Sequence, residues 1–152
     1  MFVVKALVVY DSVYGSTEKV ANMLAEGLKG EGVDVDVARA DAVKSDELSG
    51  VDLLCVGGPV HAWNMTKSVK EFLEQLKSAE GMAGKKAFAF DTKMKSRLSG
   101  SAADKIERKL KDAGLTIAKH NESAIVQGRE GPLEEGAEEK FKQIGAELAK
   151  ML

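Results

Sequence analysis

The sequence has little cysteine, which limits the structural and chemical roles open to this chain. Cys55 is the single cysteine among 152 residues, so no internal disulfide can form. The sequence also has no CxxC pair or Cys/His cluster of the kind that holds zinc. Because Cys55 lies within an apolar run, we expect a buried thiol with a structural role only.

The sequence also lacks a long hydrophobic segment and a strong charge of one sign. Lys5 interrupts the apolar N-terminal stretch and Asp11 ends it, too early for a membrane span. The stretch has neither the charged start nor the cleavage site of a signal peptide. The formal net charge is −2, which does not favour a nucleic-acid partner. We therefore expect a cytoplasmic protein that binds neither nucleic acid nor a membrane.

What the sequence does contain is ordinary for a soluble globular domain. Hydrophobic residues make up 44% of it and charged residues 30%. The length is close to the commonest size of one compact domain. Because we find no linker, low-complexity tract or internal repeat, we expect a single domain over residues 1–152.

Strand-like runs alternate with longer segments of helical periodicity. The predicted strands are Val3–Tyr10, Val33–Ala38, Val51–Gly58, Lys85–Asp91 and a last strand within Leu115–Gly128, broken near His120. The predicted helices begin near Thr17, Lys67, Ser101 and Leu133. This alternation predicts an α/β fold: a doubly wound, five-stranded parallel sheet of order 2-1-3-4-5, with helices on both faces. Ligands of such sheets bind beyond the carboxyl ends of the strands, near the switch point between the first and third.

The loop after the first strand has the composition of an anion site. Its six residues are Ser12, Val13, Tyr14, Gly15, Ser16 and Thr17. Backbone N–H groups at the start of a helix attract anions, and three hydroxyls would add further donors. The loop contains no Lys or Arg, so we expect neutral groups to hold a phosphate without a metal. The alternative is a simple helix cap, for which one hydroxyl would be enough.

Other phosphate and phosphorylation motifs do not fit this chain. The first loop contains neither GxxxxGK[ST] nor GxGxxG. A phosphorelay receiver shares the strand order, but it needs paired acids after the first strand and an Asp at the end of the third. Here Asp11 stands alone and the third strand ends in Gly57-Gly58-Pro59.

The loop after the third strand, "GGPVHAWNM", contains the single tryptophan of the chain. Trp63 at the ligand edge of the sheet could form a wall for a flat ring, because aromatic rings stack favourably. The alternative is a tryptophan that packs on the following helix. We interpret the neighbouring His61 as an exposed loop histidine without a role in chemistry.

The loop sequence "DSVYGSTEKVA" resembles the phosphate loop of flavodoxins, with its pattern hydroxyl-x-x-Gly-x-Thr followed by Glu and a helix. The likeness covers essentially the whole chain, which looks like a short-chain member with "GGPVHAW", "KSRLSGSAA" and "GREGPLEEG" segments. The resemblance implies FMN as cofactor and redox proteins, a reductase and an acceptor, as partners. It implies that the first loop binds the phosphate. The residues that would line the ring are Pro59, Val60, His61, Ala62, Trp63, Asn64, Asp91, Thr92 and Lys93.

The third loop departs most from the flavodoxin pattern. Flavodoxins usually place a tyrosine there, whereas this chain offers only Met94 or Leu98. Lys93, Lys95 and Arg97 stand against the single carboxylate of Asp91 in this segment. If these cations lie near the ring, they would stabilise the anionic, fully reduced flavin and make its potential less negative.

The resemblance leaves three functions open. We expect an electron carrier that acts as a monomer or weak dimer. An NAD(P)H-dependent quinone or flavin reductase on the same fold is the second, because a third loop without tyrosine could leave room for a substrate. The third is a domain that no longer binds flavin, since Tyr14 replaces the usual hydroxyl residue.

Overall fold

Parallel pairing of neighbouring strands builds the central sheet of the computed structural model, which describes residues 3–95 and 100–152. Within those residues the order is β2-β1-β3-β4-β5, and a further strand, β6, pairs with β4. Every strand pairing is parallel. The bounds are Lys5–Tyr10 for β1, Asp34–Arg39 for β2, Leu53–Pro59 for β3, Lys86–Met94 for β4, Thr116–Ile117 for β5 and Glu122–Val126 for β6. The predicted fold class and strand order are therefore confirmed.

Helices cover both faces of the sheet, as the alternating pattern predicts. They are α1 (Ser16–Gly30), α2 (Lys67–Lys77), α3 (Ala103–Asp112) and α4 (Ala137–Ala149), with short 3₁₀ turns at Ala40–Ala42 and Ser45–Leu48. One apolar cluster lies between the sheet and α2 with α3, and a second lies between the sheet and α1 with α4. No helix in the described residues is long and apolar enough to cross a membrane.

The helices bury the apolar stripes that their sequences predict. Val69, Phe72, Leu73 and Leu76 of α2 follow helical spacing, and all four are buried. Helices α1 and α4 approach closely on the other face, where Gly27 lies against the backbone of α4. A Cβ atom at this position would overlap the carbonyl oxygen of Lys142, so the close approach requires glycine.

The single cysteine lies in the middle of this core. Cys55 is on β3, is fully buried and is a free thiol. Burial raises the pKa of the Cys55 thiol well above its usual range, because a thiolate in the apolar core would lose its hydration. The predicted burial of the Cys55 thiol is confirmed.

The end of β4 and the start of α4 differ from the sequence prediction. Strand β4 continues past Asp91 to Met94, because β6 pairs with its end from Phe90 to Met94. The predicted break in the last strand is confirmed, since β5 and β6 are separate strands. Helix α4 begins at Ala137 rather than near Leu133, because Leu133 forms a β-bridge with Val126. The extension of β4 moves Thr92 and Lys93 from a loop into a strand.

Candidate functional site

The carboxyl ends of β1, β3 and β4 lie at one edge of the sheet, because the three strands are parallel neighbours. The segments that follow them are therefore brought together, as predicted. Tyr10 ends β1, Pro59 ends β3 and Met94 ends β4. The edge where these strands end is the candidate functional site.

The loop after β1 begins helix α1 with a glycine instead of a capping side chain. Gly15 is the N-cap residue, has a φ of 97° and, having no side chain, makes no capping hydrogen bond to the first turn. Its N–H donates to the Ser12 hydroxyl over 2.9 Å. Ser16 and Thr17 lie inside the first turn of α1. Ser16 and Thr17 therefore do not act as the N-cap of α1. The N–H groups of the first turn face the site edge.

Thr17 connects this loop to the neighbouring part of the sheet. It is almost fully buried, and its hydroxyl oxygen lies 2.8 Å from the Thr92 hydroxyl oxygen on β4. Either hydroxyl can donate in this contact, so one of the two hydroxyl protons is available to a further acceptor. Thr92, which the sequence places in a ring-lining loop, instead supports the first loop from within the sheet.

A glycine that the sequence analysis did not single out lies against the same loop. Gly131 has a φ of 101°, and a Cβ atom there would lie 3.1 Å from the Ser16 hydroxyl oxygen. The segment before α4 therefore covers the side of the loop next to Ser16. The "GREGP" sequence signals a turn. That this turn lies beside Ser16 follows from the position of the end of β6, which the local sequence does not show.

Arg39 is a second residue that sequence reasoning missed. Its Nη2 donates to the Asp11 carboxylate over 3.0 Å and to the Ser12 carbonyl over 3.2 Å. Its guanidinium carbon lies 5.5 Å from the centre of the Tyr10 ring. The Arg39 side chain is 42% exposed. A cation from β2 thus holds the loop, although the loop sequence contains none, because the parallel register places Arg39 beside Tyr10.

The Tyr10 side chain is a neutral hydrogen-bond donor beside the loop. Burial raises the pKa of Tyr10, the negative charge and hydrogen bond of Glu18 raise it further, and Arg39 opposes them. The Tyr10 hydroxyl donates to a Glu18 carboxylate oxygen 3.2 Å away. This bond joins the end of β1 to the first turn of α1 and so fixes the two sides of the loop.

The loop after β3 contains a tight turn with unusual backbone angles. His61 and Asn64 exchange backbone hydrogen bonds of 2.7 and 3.0 Å. Between them Ala62 has a φ of 48° and Trp63 a φ of 65°. Two-residue turns with two positive φ angles are normally Asn-Gly or Gly-Gly, and a residue with a side chain costs about 1–3 kcal/mol there. Ala62 and Trp63 adopt these angles although neither is an asparagine or a glycine.

The Trp63 ring lies at the site edge rather than in the core. Trp63 is 62% exposed, and His61 and Ala62 are also exposed. The Trp63 side chain is therefore not buried beneath helix α2. Val60, which leads into the turn, donates its N–H to the Thr92 carbonyl over 3.0 Å.

Asp91 has a structural role at the start of helix α3. Its side chain is fully buried, and one carboxylate oxygen accepts from the N–H groups of Ala102 and Ala103 at 3.0 and 2.9 Å. This carboxylate therefore caps α3, where the helix dipole favours a negative charge. The other oxygen is buried without a hydrogen-bond partner among the described residues. Asp91 is fully buried, and its observed contacts support the site edge through α3.

The end of β4 presents the remaining predicted residues. Lys93 is partly exposed, Lys95 is exposed, and Met94 is 45% exposed. Met94 is therefore a candidate apolar contact on the β4 side of the site. Arg97 and Leu98 lie outside the described residues.

One groove in the described part of the chain does not coincide with this edge. A groove of about 770 Å³ lies at the opposite edge of the sheet, where β4 begins, and its lining includes Val3, Asp52 and Lys85. It contains no helix N-terminus comparable to that of α1. We therefore assign the candidate site from the loops after β1, β3 and β4 and from the N–H donors of α1, and not from the position of this groove.

A flavodoxin-domain family model matches residues 7–125. The chain belongs to the flavodoxin-domain family. The matched range includes β1 to β6 almost entirely, together with the first loop, the Trp63 turn and the end of β4. The predicted family resemblance is confirmed.

Curated relatives place this flavodoxin domain among proteins of different lengths. A protein of Thermosynechococcus vestitus described as a diflavin flavoprotein is 33% identical over 74% of this chain, which spans 20% of that protein. An uncharacterized protein of Methanocaldococcus jannaschii is 30% identical over 96% of this chain, which spans 37% of it. A flavodoxin of Aquifex aeolicus is 32% identical over 47% of this chain and 40% of its own length. The chain thus spans less than half of each of these relatives.

Solved structures share the fold over nearly the whole flavodoxin domain. An archaeal flavodoxin has a TM-score of 0.82 and 26% identity, with 96% of each chain covered. A flavodoxin of Bacillus cereus has a TM-score of 0.85 and 21% identity, with coverage of 97% of this chain and 99% of the other. The flavodiiron protein of Giardia intestinalis has a TM-score of 0.80 and 22% identity over 97% of this chain and 36% of its own.

Proposed function

We propose that this flavodoxin domain binds FMN and carries electrons between redox proteins. The observation that carries the proposal is the N-terminus of α1, where Gly15 at positive φ replaces a capping side chain. A phosphate monoester is the kind of group that such a helix end accepts. The nearby hydroxyls of Ser12, Ser16 and Thr17 are neutral donors suited to a dianion.

The proposed phosphate contacts come from the backbone and hydroxyls of one loop. The amides of Val13 and Tyr14 precede Gly15 and would add to the first-turn N–H groups. Arg39 would act from outside the loop, because it is already bound to the Ser12 carbonyl and to Asp11. Its positive charge would favour a dianion without direct contact.

The proposed ring site lies between the Trp63 turn and the end of β4. Trp63 is exposed at this edge, Pro59 ends β3 nearby, and Met94 and Lys93 end β4. Trp63 would stack on one face of a flat isoalloxazine ring, with His61, Ala62 and Asn64 forming the turn beside it. Asp91 and Thr92 would hold these segments in place from beneath.

FMN, once bound, would supply the one- and two-electron chemistry, and the protein would supply binding, orientation and electrostatics. An electron carrier needs no general acid or base of its own. It needs a ring edge that a partner can approach, and the exposure of Trp63 and Met94 meets that requirement. The proposed partners are a reductase and an acceptor protein, each docking at this edge.

FMN titration of the purified flavodoxin domain tests the proposal. Tight binding should quench the flavin fluorescence and change the visible spectrum, because the ring stacks on Trp63. Riboflavin, which lacks the phosphate, should bind much more weakly, because it cannot make the phosphate contacts at the N-terminus of α1. Equal affinity for both ligands would contradict a phosphate site at α1, and no binding of either would remove the flavin function.

A kinetic assay separates the carrier from a reductase. The domain is mixed with NADPH and a quinone after FMN loading, with no other protein present. A carrier should show no steady oxidation of NADPH until a flavodoxin reductase is added. Sustained turnover by the domain alone would instead identify an NAD(P)H-dependent quinone reductase.

A further inference from the structure

The Trp63 turn has a strained backbone. Its side chains are exposed, so their burial does not stabilise this conformation. Ala62 and Trp63 both have positive φ, although neither is a glycine or an asparagine. The two residues are exposed, Trp63 by 62%. A strained backbone persists only where surrounding structure fixes it. The contacts that fix this turn therefore determine where the exposed indole lies.

Lys105 makes one of these contacts from another element. It lies in the first turns of α3, and its ammonium group donates to the Trp63 carbonyl over 2.9 Å. The two residues are 42 positions apart in the chain. A hydrogen bond from a charged donor is stronger than a neutral one. Lys105 therefore restrains the peptide group that follows Trp63, and this restraint opposes its rotation to a relaxed conformation.

Gly100 contacts the same residue from the segment before α3. A Cβ atom at Gly100 would lie 2.9 Å from both the Cα and the Cβ of Trp63. The turn is thus pressed against Gly100 and tied to Lys105. Helix α3 is itself anchored to the sheet by the Asp91 carboxylate, which accepts from Ala102 and Ala103. A chain of contacts therefore connects β4, through α3, to the Trp63 backbone.

We propose that Lys105 is a positioning residue that fixes the Trp63 turn and so presets the indole for stacking on a flat ring. The stacking part rests on the proposed FMN function, whereas the fixing of the turn does not. Preorganisation raises affinity because the ligand need not order the turn when it binds. Lys105 itself is assigned no contact with the ligand.

Trp63 gives a direct measurement of the turn in the ligand-free protein. It is the single tryptophan, so near-ultraviolet circular dichroism of indole and its fluorescence anisotropy decay report on this turn. In Lys105→Met, the indole dichroism should fall and the fast component of the anisotropy decay should grow. Lys105→Arg keeps a charged donor and should restore both signals. Unchanged dichroism and anisotropy in Lys105→Met would overturn the proposal.

Lys109→Met is the matched control on the same helix. Lys109 lies one turn further along α3, and its ammonium pairs with Glu74 of α2 at 3.7 Å instead of with the turn. This variant removes the same charge and should leave the indole signals unchanged. Equal loss of both signals in the two variants would overturn the specific role of Lys105, because any charge removed from α3 would then suffice.

Flavin binding tests the consequence for the ligand. Affinity for FMN and for riboflavin should fall by the same factor in Lys105→Met, roughly fivefold, because the restraint acts on the ring wall and not on the phosphate. Gly100→Ala should produce the same equal loss by displacing the turn sterically. A loosened indole with unchanged affinity for both flavins would overturn the presetting role. If wild type binds neither flavin while Lys105→Met still loosens the indole, the FMN function fails and the fixing of the turn is supported.

Discussion

The first loop and the Trp63 turn lie at the same edge of the sheet but are stabilised differently. The first loop carries its glycine and its three hydroxyls within residues 12–17, and the Ser12 to Gly15 hydrogen bond spans three positions. The Trp63 turn depends on Gly100 and on Lys105, which is 42 positions away. The glycine and hydroxyls of the first loop are therefore encoded locally, although Arg39 and Thr92 add contacts from distant strands. The supports described for the Trp63 turn come from distant segments.

The largest expected effect comes from the first loop. Thr17→Ala should weaken FMN about thirtyfold, because a charge-assisted hydrogen bond to the phosphate is lost, and should leave riboflavin affinity unchanged. The variant should also unfold more easily, by about 1–2 kcal/mol, because the buried Thr92 hydroxyl loses its partner. Fluorescence titration with both flavins and urea unfolding measure the two effects. Thr17→Ser is the control that keeps the hydroxyl. A parallel loss of riboflavin affinity would show that Thr17 acts on the ring.

The Trp63 ring should give the second largest effect, with the opposite ligand pattern. Trp63→Ala should weaken FMN and riboflavin alike, by roughly tenfold, because stacking and apolar contact act on the ring that both ligands share. The fluorescence of bound flavin should rise, and steady-state emission measures this. Trp63→Phe should keep part of the affinity. A loss of affinity for FMN alone would contradict the proposal that the first loop binds the phosphate and the Trp63 turn binds the ring.

Arg39 should produce a smaller effect that follows the first-loop pattern. Arg39→Met removes the bonds to Asp11 and to the Ser12 carbonyl. Because Arg39 is half-exposed and acts through the loop, FMN affinity should fall only about threefold, with riboflavin unchanged. Isothermal titration at low and high salt tests the electrostatic part. The ratio of the wild-type FMN affinity to that of Arg39→Met should fall as the salt concentration rises. A ratio that does not depend on salt would indicate a purely geometric role.

The charges at the end of β4 should give the smallest effect, on potential rather than affinity. Replacing Lys93 and Lys95 by Glu should make the potential of the fully reduced couple more negative, by on the order of tens of millivolts, because the reduced ring is an anion. Redox titration of the FMN-loaded protein measures it. Lys95 is exposed, so high salt should reduce the shift. An unchanged potential would mean that neither cation lies near the ring.

Sequence reasoning predicted the fold well because the determining signals are local and periodic. The spacing of Val69, Phe72, Leu73 and Leu76 gave helix α2 with its buried face. The alternation of strands and helices gave the strand order, since right-handed crossovers leave few topologies. The end of β4 was missed because its pairing with β6 is not visible in the β4 sequence itself.

Candidate-site residues were predictable where a backbone motif marks them. Gly15 and its hydroxyl neighbours form such a motif, and Trp63 was found because a lone aromatic follows a strand end. Arg39 and Gly131 were missed, because each comes from a distant strand or loop and carries no local signal of its place. The buried capping role of Asp91 was also hidden, since a charged residue next to lysines resembles a solvated loop.

The sequence by itself determined the alternating elements, the core faces and the glycine-centred loop at the start of α1, because propensity, periodicity and turn chemistry act between near neighbours. Only the tertiary structure decided that Thr92 would support that loop, that Asp91 would cap α3 and that Trp63 would be held in a strained turn. The physical reason is that each of these contacts joins segments far apart in the chain. Their energies exist only after the sheet has brought those segments together.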